Sequence, residues 1–338
     1  MPRPSEIAEA AAALSPLVRL GTSSWTFPGW DGLVYSALHT QAELACQGLT
    51  SYASHPLMRT VGLDRAFYRP LGEDLYRDLA SQVPADFRFL VKAYQGITRP
   101  TADERGRTHG DTAAPGRSRA NPLFLDADYA IDHVVGPATG GLGGALGPVL
   151  FQFPPLEFGP RTALEGIPAF LDRVAEFLAR MPRGPVIAVE VRNAEILRDH
   201  AGHYAAALRA GRAVHSFAGH PAMPPIADQA AALMAAGTDL TTSPLCVRWL
   251  LRRDQTYGGA KDRYHPFNAI IDDDTPARLG VAELVKFVTL AGRPSYVIVN
   301  NKAEGSAPLS IERLAQHLVR QRDRDDRSAG VQSPRRDS

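Results

Sequence analysis

Short runs of β-branched and aromatic residues recur along the chain, and segments with helical periodicity lie between them. Such runs predict strands, because these side chains pack well on a pleated sheet. The eight runs cover residues 18–25, 59–67, 87–94, 148–155, 186–193, 213–217, 245–250 and 295–301. Strands that alternate with helices pair in parallel through right-handed crossovers. The pattern therefore predicts an α/β protein with parallel strands.

The helical segments carry their apolar residues on one face. The clearest lies at 161–181, where seven apolar side chains share a face. In the last segment the side chains at helical spacing are Ile311, Leu314, Ala315 and Leu318. Asp274 or Thr275, before Pro276, predicts the start of another helix. Eight strand–helix units over about 300 residues favour a (β/α)8, TIM-barrel-like single domain over an open doubly wound sheet.

We place the barrel at residues 18–318, after an N-terminal extension at 1–17. The sixth unit, which begins with the run at 213–217, is the least regular. Residues 99–122 are rich in Gly, Pro and Arg and form an insert after the third strand, which is either a functional cover or a disordered loop. Residues 319–338 hold few large apolar side chains, so we expect a disordered charged tail.

Composition narrows the class of protein. The chain has 338 residues, with 37 Lys and Arg against 36 Asp and Glu, and a formal net charge of +1. This balance argues against a protein that holds nucleic acid by bulk electrostatics. Cys46 and Cys246 are far apart, so no disulfide framework or thiolate zinc site is expected. Since we find neither a bilayer-spanning apolar run nor a secretory leader, we expect a cytoplasmic protein.

Polar, charged or aromatic residues follow most of the predicted strands. They are Ser23, Ser24, Trp25, Asp64, Tyr68, Lys92, Tyr94, Gln152, Glu190, Arg192, Arg248, Asn300 and Asn301. In a TIM barrel the carboxyl ends of the strands form the mouth that carries the active site. A strand of a covered barrel is expected to be apolar on both faces, so Glu190 and Arg192, which share one face, are the clearest exceptions.

Several segments resemble one known family. They are GTSSWTFPGWDGLVY, FYRP, DFRFLVKA, LGPVLFQFPP, AVEVRN and YVIVNNKAEGSAP, in collinear order over most of residues 18–318. Together they are similar to the domain of unknown function 72, or YecE-like, family. The resemblance implies a TIM-barrel-like fold and brings no established reaction. Function therefore has to be argued from the site.

The chain departs from the family pattern in three places. The second strand has Leu63 and Asp64 where the family commonly has a Glu-Ile-Asn type of sequence. The seventh strand keeps Arg248 without the His-Gly that often follows it. The insert at 99–122 is not part of the common core.

The residues at the predicted mouth suit a small anionic molecule. Arg192 and Arg248 offer bidentate recognition of a phosphate or carboxylate, and Lys92 could act as an acid, a base or an imine former. Glu190 could act as a general base if burial raises its pKa. We predict Glu190 and Lys92 as the catalytic residues. The alternative is a buried ion-pair network that holds the polar layer of the barrel together.

Further binding residues flank this group. They are Asn300, Asn301, Trp25, Ser23 and Tyr68. The segment after the eighth strand could form an anion site with the amino end of the last helix, or it could be a loop fixed by its asparagines and Gly305. Trp25 could stack on a sugar ring, or it could seal the top of the barrel.

We predict no cofactor and no metal, because the metal-binding motif H-E-x-x-H is absent and Asp and His are scarce at the strand ends. The predicted function is that of an enzyme or ligand binder for a small anionic or polyhydroxylated molecule, such as a phosphorylated or carboxylated compound. The alternative is a non-catalytic scaffold that binds a protein or nucleic acid. A third class is a metal-dependent phosphodiesterase on a related barrel.

Overall fold

Eight strands form a closed parallel barrel in the computed structural model of the chain. They are β1 (Val18–Thr22), β2 (Met58–Leu63), β3 (Arg88–Lys92), β4 (Leu146–Gln152), β5 (Ile187–Glu190), β6 (Val214–Gly219), β7 (Leu245–Trp249) and β8 (Ser295–Val299). Each strand pairs with the next one along the chain, and β1 closes the barrel against β8. The predicted TIM-barrel-like fold is confirmed, and each of the eight predicted runs coincides with one strand.

Helices surround the barrel. Over the described residues, 4–102, 119–160 and 162–331, they are α1 (Pro4–Ala13), α2 (Gln41–Ser54), α3 (Arg65–Tyr68), α4 (Glu73–Ser81), α5 (Gln95–Thr98), α6 (Ala127–Ala130), α7 (Gly136–Leu142), α8 (Ile167–Ala179), α9 (Ala194–Asp199), α10 (Ala201–Ala210), α11 (Ile226–Ala235), α12 (Tyr257–Tyr264), α13 (Thr275–Leu290) and α14 (Ala307–Val331). None of the helices in these ranges combines the length and apolarity needed to cross a membrane.

The barrel strands are apolar on both faces, as expected for a sheet that is covered by helices. One small cluster fills the interior of the barrel and consists of Leu90, Leu150, Ala188, Cys246 and Ile298. The opposite faces of the strands join the large core beneath the helices, through side chains that include Phe89, Val91, Phe151, Val189, Phe217 and Val247. Charged side chains on these strands are consequently found mainly at their ends.

Local sequence decides where two of the outer helices begin. Asp274 accepts a hydrogen bond from the first turn of α13, and Pro276 lies in that turn, so the predicted helix start is confirmed. The helix predicted at 161–181 begins later, at Ile167, with Pro168 in its first turn. Proline has no amide hydrogen to donate, and it is therefore tolerated at the start of a helix rather than inside it.

The predicted insert at 99–122 is described only at its two ends. Thr101–Ala102 pairs in antiparallel fashion with Arg119–Ala120, so the chain leaves and re-enters the barrel at one point. Asn121 closes this base, because its side-chain amide donates to the carbonyl oxygens of Gly96 and Arg99. The rest of the insert lies outside the described residues.

The predicted disordered tail at 319–338 overlaps the last helix. Helix α14 ends at Val331 and so includes the first part of the segment at 319–338 that we expected to be disordered. The helix extends beyond the barrel because Val319 packs against the core and Gln321 donates a hydrogen bond to Glu283 on α13. The last seven residues lie outside the described residues.

Two further expectations concern the sixth unit and the N-terminal extension. The sixth unit was predicted to be the least regular; in it β6 has six residues and α11 has ten, and β6 pairs with β5 over two residues. A short proline-containing loop joins them. The extension at 1–17 contains helix α1, which contacts α14 and brings the two ends of the barrel domain together.

Gly21 marks a close approach of two barrel strands, which gives a test of the fold. An ideal Cβ at this position would lie 1.8 Å from the carbonyl oxygen of Thr60 on β2. We expect Gly21→Ala to lower the free energy of unfolding by about 1–3 kcal/mol, because the backbone must move to admit a methyl group. Urea unfolding measures the loss. Gly144→Ala is the matched control, since the space around Gly144 is open; equal losses in the two variants would contradict this packing.

Candidate functional site

Three charged residues from alternate strands point into the barrel mouth. Lys92 ends β3, Glu190 ends β5 and Arg248 lies in β7, and all three are buried. The residue two positions earlier in each strand belongs to the apolar cluster inside the barrel. Because side chains alternate along a strand, the charged groups form the next layer toward the carboxyl ends. Together with Arg192, which follows β5, we call them the mouth cluster.

Glu190 lies at the centre of the mouth cluster and is fully buried. One carboxylate oxygen accepts a hydrogen bond from Arg192 Nε at 2.7 Å, and the other accepts one from Arg248 Nη1 at 2.9 Å. Burial alone would raise the pKa of Glu190, but the two guanidinium charges and their hydrogen bonds outweigh it and lower the pKa to about 2. Glu190 is therefore an ionised anchor for two arginines.

This geometry changes the interpretation of Glu190. A role as general base required burial to raise its pKa, and the structure has the pKa lowered instead. A carboxylate that is ionised throughout the physiological range is a weak proton acceptor. The arrangement matches the ion-pair network that the sequence left open as an alternative. A catalytic function of Glu190 itself stays a prediction.

Arg248 connects Glu190 to the rim of the mouth. Its Nη2 lies 3.8 Å from Asp64 Oδ1, which is longer than a hydrogen bond. Its Nε is buried and has no acceptor within the described residues. Asp64 follows β2 and is 39% exposed, so it lies between the buried cluster and solvent. Arg248 consequently keeps donor capacity that the protein does not use.

Lys92 is the second group with unused donors. Its side chain is only 9% exposed, and its Nζ lies 3.6 Å from the centre of the Phe67 ring. Across the described ranges, Nζ makes no hydrogen bond and no ion pair within 4 Å. Burial is the largest cause that lowers the pKa of Lys92; Asp64 and Glu190 oppose it, Arg248 and Arg192 add to it, and the net pKa is about 8. An appreciable fraction of this amine is neutral close to physiological pH.

A second lysine approaches the mouth from the loop after β8. Lys302 is buried, and its Nζ lies 4.2 Å from the ring centre of Tyr257. Burial lowers its pKa, nearby Lys261 lowers it further, and Asp64 raises it, so Lys302 and Asp64 act on each other electrostatically. Sequence reasoning missed Lys302 although it belongs to the NNKAEG segment. A lysine beside strand-end asparagines was the signal that could have identified it.

Tyr68 and Tyr257 form the aromatic part of the rim. Tyr68 is 70% exposed and Tyr257 is 66% exposed. Burial of part of the ring raises the pKa of Tyr68, and electrostatic interaction with Asp64 and with the Tyr257 hydroxyl raises it further, so these groups lie near one another. The predicted binding residue Tyr68 is thus at the mouth, together with an aromatic partner that sequence reasoning did not select.

The two predicted asparagines have different surroundings. Asn300 donates to the Ser23 hydroxyl at 3.2 Å and accepts from the Lys302 backbone amide at 3.0 Å, so it fixes the loop at the mouth. Asn301 accepts from Trp30 Nε1 at 3.2 Å and from the Ala307 amide at 2.9 Å. The first amide of α14 is therefore bound to the chain itself. This contact favours the fixed-loop interpretation of the segment over an anion site at the helix end.

Trp25 packs in the core cluster. It is buried, and its Nε1 donates to the carbonyl oxygen of Leu44 on α2 at 3.0 Å. This contact favours the interpretation in which Trp25 seals the barrel. Ser23 is also buried, and its hydroxyl accepts the hydrogen bond from Asn300. The structure gives both residues a packing role, and any contact with a ligand stays a prediction.

The described residues offer no candidate metal site. Across the described ranges, no group of three His, Cys, Asp or Glu side chains could hold a metal ion. The acidic run at 272–274, after β7, is occupied by contacts with nearby residues. Asp272 accepts from Arg263, Asp273 accepts from Arg278, and Asp274 starts helix α13.

A separate cavity of about 460 Å³ lies at the other end of the barrel. It is lined by the first residues of β6 and β7, Val214 and Leu245, and by apolar side chains of α10 and α13. Barrel enzymes carry their chemistry at the carboxyl ends of the strands, where Lys92, Glu190 and Arg248 are buried in this protein. We therefore assign the candidate site to the mouth cluster and its rim.

Comparisons with known proteins support the fold. The sequence model of the family described as Protein of unknown function DUF72 matches residues 19–334. A DUF72 family protein from Thermotoga maritima MSB8 is 18% identical, with a TM-score of 0.57, and the match covers 89% of this chain and 98% of that one. One from Enterococcus faecalis V583 is 17% identical, with a TM-score of 0.55, and the match covers 88% and 95%. No curated protein matches the chain.

The central ion pairs can be tested by substitution. We expect Glu190→Gln to lower the free energy of unfolding at neutral pH by about 3–5 kcal/mol, because buried Arg248 loses its counter-charge. Urea unfolding measures the loss, and Glu176→Gln on the exposed face of α8 is the matched control. A loss no larger than that of the control would contradict the anchoring role.

The pH dependence of the parent protein provides the second readout for this pair. Glu190 has a pKa of about 2 in the folded chain against an ordinary value of 4.5. Its contribution to stability is therefore complete above pH 4.5 and is lost as the pH falls toward about 2. The difference in stability between parent and Glu190→Gln should shrink over that interval. A difference that is constant with pH would show that the ion pairs do not cause it.

Proposed function

We propose that this chain, which belongs to the DUF72 family of proteins of unknown function, binds a small molecule with a phosphate or carboxylate group at its barrel mouth. Membership of the family confirms the resemblance that the sequence indicated, and it brings no activity with it. The observation that carries the proposal is a buried group of cationic side chains in which Arg248 Nε and Lys92 Nζ have no acceptor among the described residues.

The charges at the mouth favour an anion. Cationic side chains outnumber carboxylates there by four to two, namely Lys92, Arg192, Arg248 and Lys302 against Asp64 and Glu190. Both carboxylate oxygens of Glu190 accept hydrogen bonds from the arginines. Asp64 is therefore the carboxylate that remains to balance the positive charges of the two lysines. A buried donor without an acceptor costs about 1–3 kcal/mol. A bound phosphate or carboxylate would recover this cost and restore the charge balance.

The rim suits the rest of such a molecule. Tyr68 and Tyr257 expose most of their rings beside the charged groups. Aromatic faces pack against sugar rings and other flat or polyhydroxylated groups. We therefore propose a ligand with an anionic end in the mouth cluster and a less polar or hydroxylated part against the two tyrosines.

If the protein is an enzyme, Lys92 is the better candidate for proton transfer. Its pKa of about 8 lies near physiological pH, which is where general acids and bases work best. Glu190, with a pKa of about 2, would position the arginines rather than exchange protons. The proposal calls for no cofactor and no metal, and it is compatible with the cytoplasmic location expected from the sequence.

The other two classes have less support. A scaffold for a protein or nucleic acid would need no buried amine with a lowered pKa at the barrel mouth. A metal-dependent phosphodiesterase would need a set of ligands, and no such set is found over the residues described. We therefore favour a small-molecule site.

Phosphate binding tests this function. Isothermal titration at low salt with inorganic phosphate, followed by phosphorylated metabolites and their unphosphorylated counterparts, should detect binding of the phosphorylated compounds only. Arg192→Gln should weaken it by about 10- to 100-fold, as expected for one lost charge-assisted hydrogen bond. Arg198→Gln is the matched control, because Arg198 is exposed on α9 and pairs with Asp199. The proposal fails if neither a phosphorylated compound nor a carboxylate such as pyruvate binds, or if Arg192→Gln, still folded by circular dichroism, binds like the parent.

A further inference from the structure

We propose that Lys92 forms an imine with an aldehyde or ketone that also carries a phosphate or carboxylate group. This inference rests on the proposed function, because the anionic group would occupy the mouth cluster, and it adds the reactive group of the ligand. It makes the mouth a site for covalent chemistry on a carbonyl carbon.

The choice of amino acid at position 92 is the first argument. Of the 37 basic residues apart from histidine, 33 are arginine and four are lysine, at positions 92, 261, 286 and 302. Arginine supplies positive charge almost everywhere in this chain, including the mouth itself. A guanidinium stays protonated in proteins, whereas a lysine amine can lose its proton and act as a nucleophile. A lysine at this buried position therefore provides a property that arginine lacks.

The placement of the amine is the second argument. The side chain of Lys92 is more than nine-tenths buried, and its Nζ lies over the Phe67 ring, without an acceptor in the described part of the chain. A structural lysine at such a depth is normally paired with a carboxylate or a carbonyl oxygen. The Phe67 ring holds the amine in position and cannot take its proton. Desolvation and the neighbouring arginines favour its neutral form, as in known imine-forming lysines.

The chemistry balances with the groups at the mouth. The lone pair of the neutral Nζ attacks the carbonyl carbon, a C–N bond forms, and one proton passes from nitrogen to the former carbonyl oxygen. The C–O bond of this carbinolamine then breaks as its oxygen receives the proton that the Lys92 ammonium group gave up before the attack, so that water leaves and a protonated imine is formed. Asp64, the charged neighbour that affects Lys92 most, would take that proton from the ammonium group at the start and return it to the leaving oxygen. No oxidant or reductant is consumed.

The product also suits the electrostatics of the site. A protonated imine carries the same single positive charge as the ammonium group that it replaces. The balance with Asp64 and Glu190 is therefore unchanged, while the anionic group of the ligand meets Arg192 and Arg248. Binding and covalent attachment would use different parts of the same cluster.

Reductive trapping tests this inference on the full chain. The probes are glycolaldehyde phosphate and pyruvate, with uncharged glycolaldehyde for comparison, each followed by borohydride, which converts an imine into a stable secondary amine. Mass spectrometry should find one adduct, on Lys92, formed about tenfold or more faster with the anionic probes than with glycolaldehyde. The labelling rate should rise around pH 8 rather than near the ordinary lysine value of 10.5. Inorganic phosphate should compete.

Variants separate a specific adduct from general amine reactivity. Lys92→Arg, which keeps the charge, and Lys92→Met, which keeps the length, should both lose the adduct. Lys261→Arg is the matched control, because Lys261 is an exposed lysine on α12, and it should label like the parent. Labelling spread over all four lysines, or located on Lys302, would overturn the inference.

The two proposals fail in different ways. If inorganic phosphate binds but Lys92 gives no adduct with either anionic probe, and phosphate does not slow the labelling of any lysine, the imine is excluded while the anion site stands. If phosphate and the anionic probes do not bind at all, the proposed function fails and the imine inference fails with it.

Discussion

The buried carboxylate of Glu190, held between Arg192 and Arg248, is the interaction on which the barrel mouth depends. Each of these charges alone would cost several kcal/mol to bury, and they are tolerated because they compensate one another. The contact joins β5 to β7 across the intervening strand β6. It also fixes the guanidinium of Arg248 beside the rim, where Asp64 meets it at 3.8 Å.

The same environment divides the roles of Glu190 and Lys92. Burial works against the charged form of both groups. Glu190 has two cationic partners in hydrogen-bond contact, so its pKa falls to about 2 and it stays ionised. Lys92 has an aromatic ring in place of a carboxylate partner, so burial prevails and its pKa falls to about 8. One group thus anchors the two arginines, and the other is an amine without a hydrogen-bond partner among the described residues.

The loop after β8 supports this arrangement from behind. Asn301 links Trp30 to the start of α14, and Glu304 accepts from Arg278 and from the amide of Asp274 at the start of α13. These contacts fix the NNKAEG segment between Trp30, α13 and α14, so most of this segment has a structural role. The segment contributes one side chain to the mouth, that of Lys302, which contacts the Tyr257 ring and interacts electrostatically with Asp64.

The sequence by itself determined the barrel and the ring of strand-end residues, because strand periodicity and β-branched runs are local properties, and parallel strands bring their carboxyl ends to one mouth. Only the tertiary structure decided what those residues do. The pKa of Glu190 depends on Arg248, 58 positions away, and the role of Asn301 depends on Trp30, 271 positions away. The length of α14 likewise depends on its contact with α13. Desolvation and charge pairing are set by neighbours in space, and no local pattern encodes them.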